Sequence, residues 1–163
     1  MRISAKVDYA IRAVVELAAR RAGPESPMKG DAISQAQDIP MKFCENILSE
    51  LRGAGVVASR RGAEGGYWLA MAPDAVHLAD IVRIVEGPLA AIRGVRPTEA
   101  EFIGSAVPLQ QVWVATRAAL RRVLDQVTVA DVVAGQLPAD VASLLDDEGA
   151  WDTVDVLGED ISH

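Results

Sequence analysis

The stretch Ser59-Arg60-Arg61-Gly62-Ala63-Glu64-Gly65-Gly66-Tyr67-Trp68-Leu69 constrains the fold more than any other part of the chain. Two arginines open it, a glycine pair bends it, and Tyr67 and Leu69 alternate with Trp68 as in a half-buried strand. It follows closely on a helical segment that opens with Pro40. The combination predicts a β-hairpin with a cationic tip beside a short helix. Val56 to Arg61 would form its first strand and Tyr67 to Ala70 its second. A hairpin set against such a helix is the layout of a winged helix-turn-helix, a head that grips duplex DNA.

The segments around the hairpin fit that head. Tyr9 to Arg20 reads as an amphipathic helix, with Ile11, Val14, Val15, Leu17 and Ala18 on one stripe and Arg12, Glu16 and Arg20 opposite. Gly23 to Pro27 is a turn, and Asp31 to Gln37 is a short second helix with Ala32, Ile33 and Ala36 inward. Asp38 or Ile39 caps the third helix, and Pro40 suits its first turn, where no amide partner is lost. At about 100° per residue, Phe43, Ile47, Leu48 and Leu51 share an inner face, and Lys42, Glu45, Asn46 and Ser49 take the outer one. Gly53 and Gly55 end the helix.

His77 to Glu86 predicts a fourth helix, closed by Gly87-Pro88, and Leu89 to Ser105 has no clean period and reads as a loop. Val107 to Val127 is the longest predicted helix. Leu109, Val112, Trp113, Leu120, Val123, Leu124 and Val127 run along one side, and Gln110, Arg117, Arg121 and Asp125 along the other. So broad an apolar stripe outside a compact head calls for a partner, and those seven residues are the expected dimerisation surface. Thr128 can cap one more short helix, Val129 to Val133. The expected class is mainly α with a small β-hairpin wing: a winged helix-turn-helix head plus a long C-terminal dimerisation helix. Its parts are a head at 1–87, a loop at 88–106, the dimerisation helix and short helix at 107–135, and an acidic, partly disordered tail at 136–163.

A net charge of −7 argues against a DNA binder until it is located. Residues 1–70 hold 10 basic and 8 acidic groups, while residues 140–163 hold 8 acidic groups and no basic one. The acidity is therefore concentrated in the tail, and surface charges more than about 8–10 Å apart are largely screened at cellular salt. A mildly basic head predicts modest non-specific binding, so specific affinity needs base contacts and two linked half-sites. No run approaches the ~18 apolar residues of a membrane helix, and the opening residues do not resemble a signal peptide. With 1 cysteine there is no internal disulfide, which suits a reducing cytoplasm.

Met41, Lys42, Glu45 and Asn46 occupy the outer, N-terminal half of the third helix, the part that faces base edges in helix-turn-helix docking. Lys42 can reach guanine or phosphate, Asn46 can pair bidentately with adenine, and Glu45 can accept from cytosine or hold a neighbour. Arg60 and Arg61 point to opposite sides of one strand. One is expected in a minor groove and the other on phosphate, with Glu64 orienting one of them. Lys6, Tyr9, Arg2 and Lys29 offer register-fixing phosphate contacts, with ordinary solvated side chains as the alternative. Arg93 and Arg96 are either loop charges or grips for an anionic effector. Cys44 reads as core packing, with a thiol switch as the alternative. No nucleophile stands near a histidine, since His77 precedes a helix and His163 ends the chain, and the wing glycines lack the lysine of a phosphate loop. Enzyme chemistry is not expected.

The chain resembles the Rrf-two family of winged-helix transcription regulators, the IscR, NsrR and CymR group, over roughly residues 1–135. The resemblance rests on Ile3 to Ala10, on Ile39-Pro40 through Arg52, and on Ala54-Gly55-Val56-Val57 with Ser59-Arg60-Arg61-Gly62. It continues through Gly65-Gly66-Tyr67-Trp68-Leu69, Leu78 to Val82, and Glu86-Gly87-Pro88. It implies a homodimer that binds a palindromic site on double-stranded DNA, as repressor or activator. Members with an iron–sulfur cluster carry three cysteines in the loop that is Gly87 to Pro108 here, and this loop has none. Asp8 stands where some relatives supply a carboxylate ligand. The expectation is therefore no cofactor and no metal, with control by a partner enzyme, as in the cysteine-regulator branch, or by a small molecule.

Overall fold

The computed structural model describes residues 2–152, so His163 and the tail at 153–163 lie outside the described residues. The order is α1 (Ala5–Ala19), α2 (Gly30–Gln37), α3 (Met41–Gly53), β1 (Val57–Arg60), β2 (Gly66–Leu69), α4 (Leu78–Glu86), α5 (Leu109–Leu124), α6 (Val129–Ala134) and α7 (Ala139–Ala142). The fold is mostly helical with one two-stranded antiparallel hairpin. Among the described residues no helix is long and apolar enough to cross a membrane.

α1 is the hub. It begins at Ala5, well before Tyr9, because the Ser4 hydroxyl accepts from the Val7 amide and caps the first turn. Its inner face is Val7, Ala10, Ala13, Val14 and Leu17, and the two alanines let neighbours approach closely. α2, α3, α4, α6 and β2 all pack against it. Leu17, Ile33, Ile47, Leu48, Leu51 and Ile81 are fully buried, each contributing about 1.5–3 kcal/mol of transfer free energy. Glu16 departs from the sequence pattern. It was expected on the solvent face and is only 7% exposed, because α2 crosses that edge of α1.

α3 starts after Pro40, and neither Asp38 nor Ile39 caps it with a side chain. Asp38 instead adopts a left-handed conformation (φ 49°) that turns the chain from α2 to α3, while Ile39 is buried. The inner face of α3 is Cys44, Ile47, Leu48 and Leu51. Phe43, expected inside, is 50% exposed and packs edge-on against Tyr9 with ring centroids 5.9 Å apart.

The wing pairs Val57 with Leu69 and Arg60 with Gly66. Met28 adds a bridge to β2: its amide donates to the Tyr67 carbonyl at 2.9 Å and its carbonyl accepts from the Tyr67 amide at 2.8 Å. Both glycines at the bend are sterically required. A Cβ on Gly65 would lie 2.1 Å from the Arg60 carbonyl oxygen, and one on Gly66 would lie 2.6 Å from that of Met28. The wing is thereby pinned to the segment entering α2.

The loop after α4 is more ordered than its lack of period predicts. Ile92 and Val95 exchange backbone hydrogen bonds around Arg93 (φ 51°) and Gly94 (φ 83°), while Leu89, Pro97 and Ala100 are buried. The Gln110 amide at the start of α5 donates to the Ala100 carbonyl at 3.1 Å. After α5 the chain returns to the head. The Leu78 amide donates to the Val127 carbonyl (3.0 Å), and the Val129 amide to that of Val76 (2.9 Å). Val127, expected on the dimerisation surface, is 3% exposed and belongs to this return crossing. Thr128 caps α6 in a reciprocal box with Asp131, and Val129 enters the core, so the head draws on residues beyond the expected 1–87 boundary.

Candidate nucleic-acid interface

The outer face of α3 is open. Met41, Lys42, Glu45, Asn46 and Ser49 are all exposed. Among the described residues the polar ends of Lys42, Glu45 and Asn46 make no hydrogen bond or ion pair within the chain. A helix surface with free donors and acceptors flanked by a hairpin can meet base edges in a major groove. Lys29 is exposed just before α2, and Arg2 just before α1.

Lys6 is differently placed. Its Nζ lies 2.8 Å from the Glu50 carboxylate and donates to the Val85 carbonyl at 2.9 Å. That ammonium ties α1 to α3 and to the end of α4, a structural use of a residue read as a phosphate contact. Arg12 lies 5.5 Å above the Tyr9 ring and pairs with Asp8 at 2.9 Å, so the Asp8 carboxylate also has an internal partner.

On the wing, Arg60 Nη2 donates to the Glu64 carbonyl oxygen at 3.0 Å. The orienting group is thus the backbone of Glu64 rather than its carboxylate. Arg60 folds back across the tip, and Arg61 is the exposed wing cation without an internal partner among the described residues. Arg52 Nη1 donates to Ser59 Oγ at 3.3 Å, joining the end of α3 to β1.

Sequence reasoning missed Glu16 as a positioning residue. Its carboxylate accepts from Arg20 Nε at 2.8 Å and from Gln37 Nε2 at 2.6 Å. Gln37 immediately precedes the left-handed Asp38 turn that aims α3. The Arg20 hydrogen bond, opposed by burial and reinforced by Gln37, holds the Glu16 carboxyl below its ordinary value of 4.5. A depressed folded-state pKa adds stability that is present above the unfolded value and lost as pH falls through the folded one. Urea unfolding should therefore show stability falling as the pH drops below about 4.5. Glu16→Gln should flatten that limb and cost about 1 kcal/mol at neutral pH, a small figure because Arg20 is largely solvated. An unchanged acid limb would refute this role.

The family model for Rrf2, described as an iron-dependent transcriptional regulator, matches residues 3–135. The chain belongs to the Rrf2 family. It is 42% identical over 153 residues to an HTH-type transcriptional regulator of Mycobacterium tuberculosis (strain H37Rv), covering 94% of each chain. It is 34% identical to the HTH-type regulator CymR of Bacillus subtilis over 81% of this chain and 89% of that one. The solved structure of that CymR, the global cysteine regulator, superposes with a TM-score of 0.68 at 33% identity, covering 83% of this chain and 98% of that one. IscR from T. potens superposes with a TM-score of 0.66 at 30% identity, covering 83% and 88%. Like its Rrf2 relatives, the chain is a DNA-binding transcriptional regulator with a winged-helix fold, and not an enzyme.

The donors of this chain do not fit an iron–sulfur cluster. Iron–sulfur clusters are held by about four ligands, mostly cysteine thiolates. Cys44 is the only cysteine. It is fully buried in α3, and burial, with a lesser contribution from Glu45, raises its thiol pKa and disfavours the thiolate. Among the described residues no three histidine, cysteine, aspartate or glutamate side chains gather as a metal site. The same burial weakens the thiol-switch reading, because oxidants select exposed, low-pKa thiols.

Proposed function

We propose that this Rrf2 protein is a cluster-free, homodimeric, cytoplasmic repressor. It reads a palindromic operator with α3 of each protomer and steadies itself with Arg61 of each wing. The observation that carries the dimer is α5: sixteen residues long, it buries none of them. Leu109, Val112, Thr116, Ala119 and Val123 repeat at the three-and-four spacing of a helix-pairing seam. Leu109 is 42% exposed and Val112 52%.

The polar side of α5 is turned toward its own head, where Gln110 meets the loop carbonyls and Asp125 meets Arg83 at 2.6 Å. That leaves the apolar side available to a second copy. Leu120, Val123 and Leu124 are half-buried, so Leu109, Val112 and Trp113 carry most of the proposed contact.

Asn46→Ala tests the reading role of α3. It should relax the preference at one position in each half-site, at a cost of about 1–3 kcal/mol for the preferred base, measured by binding to a set of single-base operator variants. Arg61→Ala should instead weaken binding to all of these sequences alike. An Asn46→Ala protein that keeps its full base preference would remove Asn46 from the reading surface.

A further inference from the structure

Three arginines converge where the head meets the long helix. Arg83 comes from the last turn of α4, Arg96 from the loop and Arg117 from the middle of α5. With Gly87, Pro88 and Leu89 they line a cavity of about 260 Å³, and no carboxylate lines it. Arg83 is neutralised from outside the cavity by Asp80 (3.0 Å) and Asp125 (2.6 Å), the latter shared with Arg121. Arg96 has only the exposed Glu99, at 3.7 Å. Arg117 has no ion pair among the described residues, and its Nε is buried without a hydrogen-bond partner.

A buried donor without an acceptor is unfavourable, and guanidinium groups present planar forks matched to carboxylate and phosphate oxygens. The C-terminal dipole of α4 opposes an anion here, but it amounts to about half a charge against three guanidinium groups. The volume is below the roughly 300–1,000 Å³ of drug-sized pockets, so the occupant is small.

We propose that this cavity binds a small oxyanion, a dianion the size of phosphate or a short dicarboxylate, which bridges α4, the loop and α5. Arg83 belongs to the head and Arg117 to the long helix, so a bound anion restrains the angle between them. In the dimer proposed above, that angle sets the separation of the two reading helices, and occupancy then alters operator affinity. This second consequence rests on the dimer, whereas the binding does not.

Calorimetric titration of the full-length, DNA-free protein with sodium phosphate, and separately with sodium malonate, at constant ionic strength tests the site. The expected result is saturable binding of at least one probe at one site per chain. Arg117→Gln and Arg96→Gln should each weaken it about tenfold or more, and Arg61→Gln on the wing should leave it unchanged. Arg96 is exposed, so its variant reports on the site even if Arg117→Gln fails to fold. No saturable binding of either probe, binding that survives both cavity substitutions, or binding that Arg61→Gln abolishes overturns the proposal. A phosphate-dependent change in operator affinity in the unaltered protein, absent from Arg96→Gln, supports the coupling. Binding with no such change overturns the coupling.

Discussion

Aspartate at both Val112 and Ala119 is expected to convert a dimer to monomers and to lower operator affinity about 10²–10⁴-fold. The magnitude follows from avidity: once one half of a dimer is bound, the second half-site is found at a high local concentration, and that gain disappears when the halves separate. The two positions lie on the seam of α5, so two copies would bring four carboxylates together in an apolar contact, where like charges repel in a poorly solvated setting. Neither residue is buried in the protomer. The head should keep its fold, and far-ultraviolet circular dichroism should be unchanged. Light scattering after size exclusion reads the mass, and an electrophoretic mobility shift reads the affinity. A variant that remains dimeric and binds as before would place the interface elsewhere.

The second large effect is expected at the wing. Alanine at Gly66 would put a Cβ 2.6 Å from the Met28 carbonyl oxygen and 2.8 Å from its carbonyl carbon. Both are backbone atoms in the segment entering α2, so nothing flexible can yield. The two Met28–Tyr67 hydrogen bonds should break and the wing detach. The cost is about 3 kcal/mol, summing the lost bonds and backbone displacement. The melting temperature should fall by roughly 6–12 °C for a chain of this size. Operator binding should weaken for all sequences, because in the proposed complex the wing steadies the flank while α3 reads the bases. Gly53→Ala is the matched control: nothing lies within 4 Å of its Cβ position, so calorimetry should find it neutral or slightly stabilising. Equal melting temperatures for Gly66→Ala and the unaltered protein would show that the Met28 bridge does not pin the wing.

The elements were legible because their signals are local. Pro40 marks the start of α3, Gly65-Gly66 the bend of the wing, and Thr128 the cap of α6. The misplaced residues depend on how elements cross, which periodicity does not encode. Phe43 and Cys44 are adjacent and both apolar. Which one faces inward follows from where α1 lies, and Tyr9 draws Phe43 to the surface. Glu16 lies at the edge of the inner face of α1 and is buried only because α2 covers that edge. Val127 continues the apolar stripe of α5, yet the helix ends at Leu124 and the chain turns back to pair with Val76 to Leu78.

The candidate DNA-reading surface was more legible than the head-to-helix joint. Lys42, Glu45 and Asn46 are exposed as their spacing requires. Arg117 lies on the polar side of the long helix, where a charged residue usually faces water, and only the packing of the loop against α5 brings it beside Arg83 and Arg96. Lys6 illustrates the same limit from the other side. A lysine near the proposed reading helix reads as a phosphate contact, and periodicity does not show that its ammonium meets Glu50 and the Val85 carbonyl at the end of α4.

Selection of bound sequences from a random pool of duplex DNA, using the full-length protein, tests the central claim most directly. Two copies of α3 related by a two-fold axis should enrich an inverted repeat, with half-sites centred about one helical turn, or a whole number of turns, apart. Enrichment of an asymmetric motif with a single half-site, or no enrichment at low salt, would contradict a dimer that reads DNA through α3.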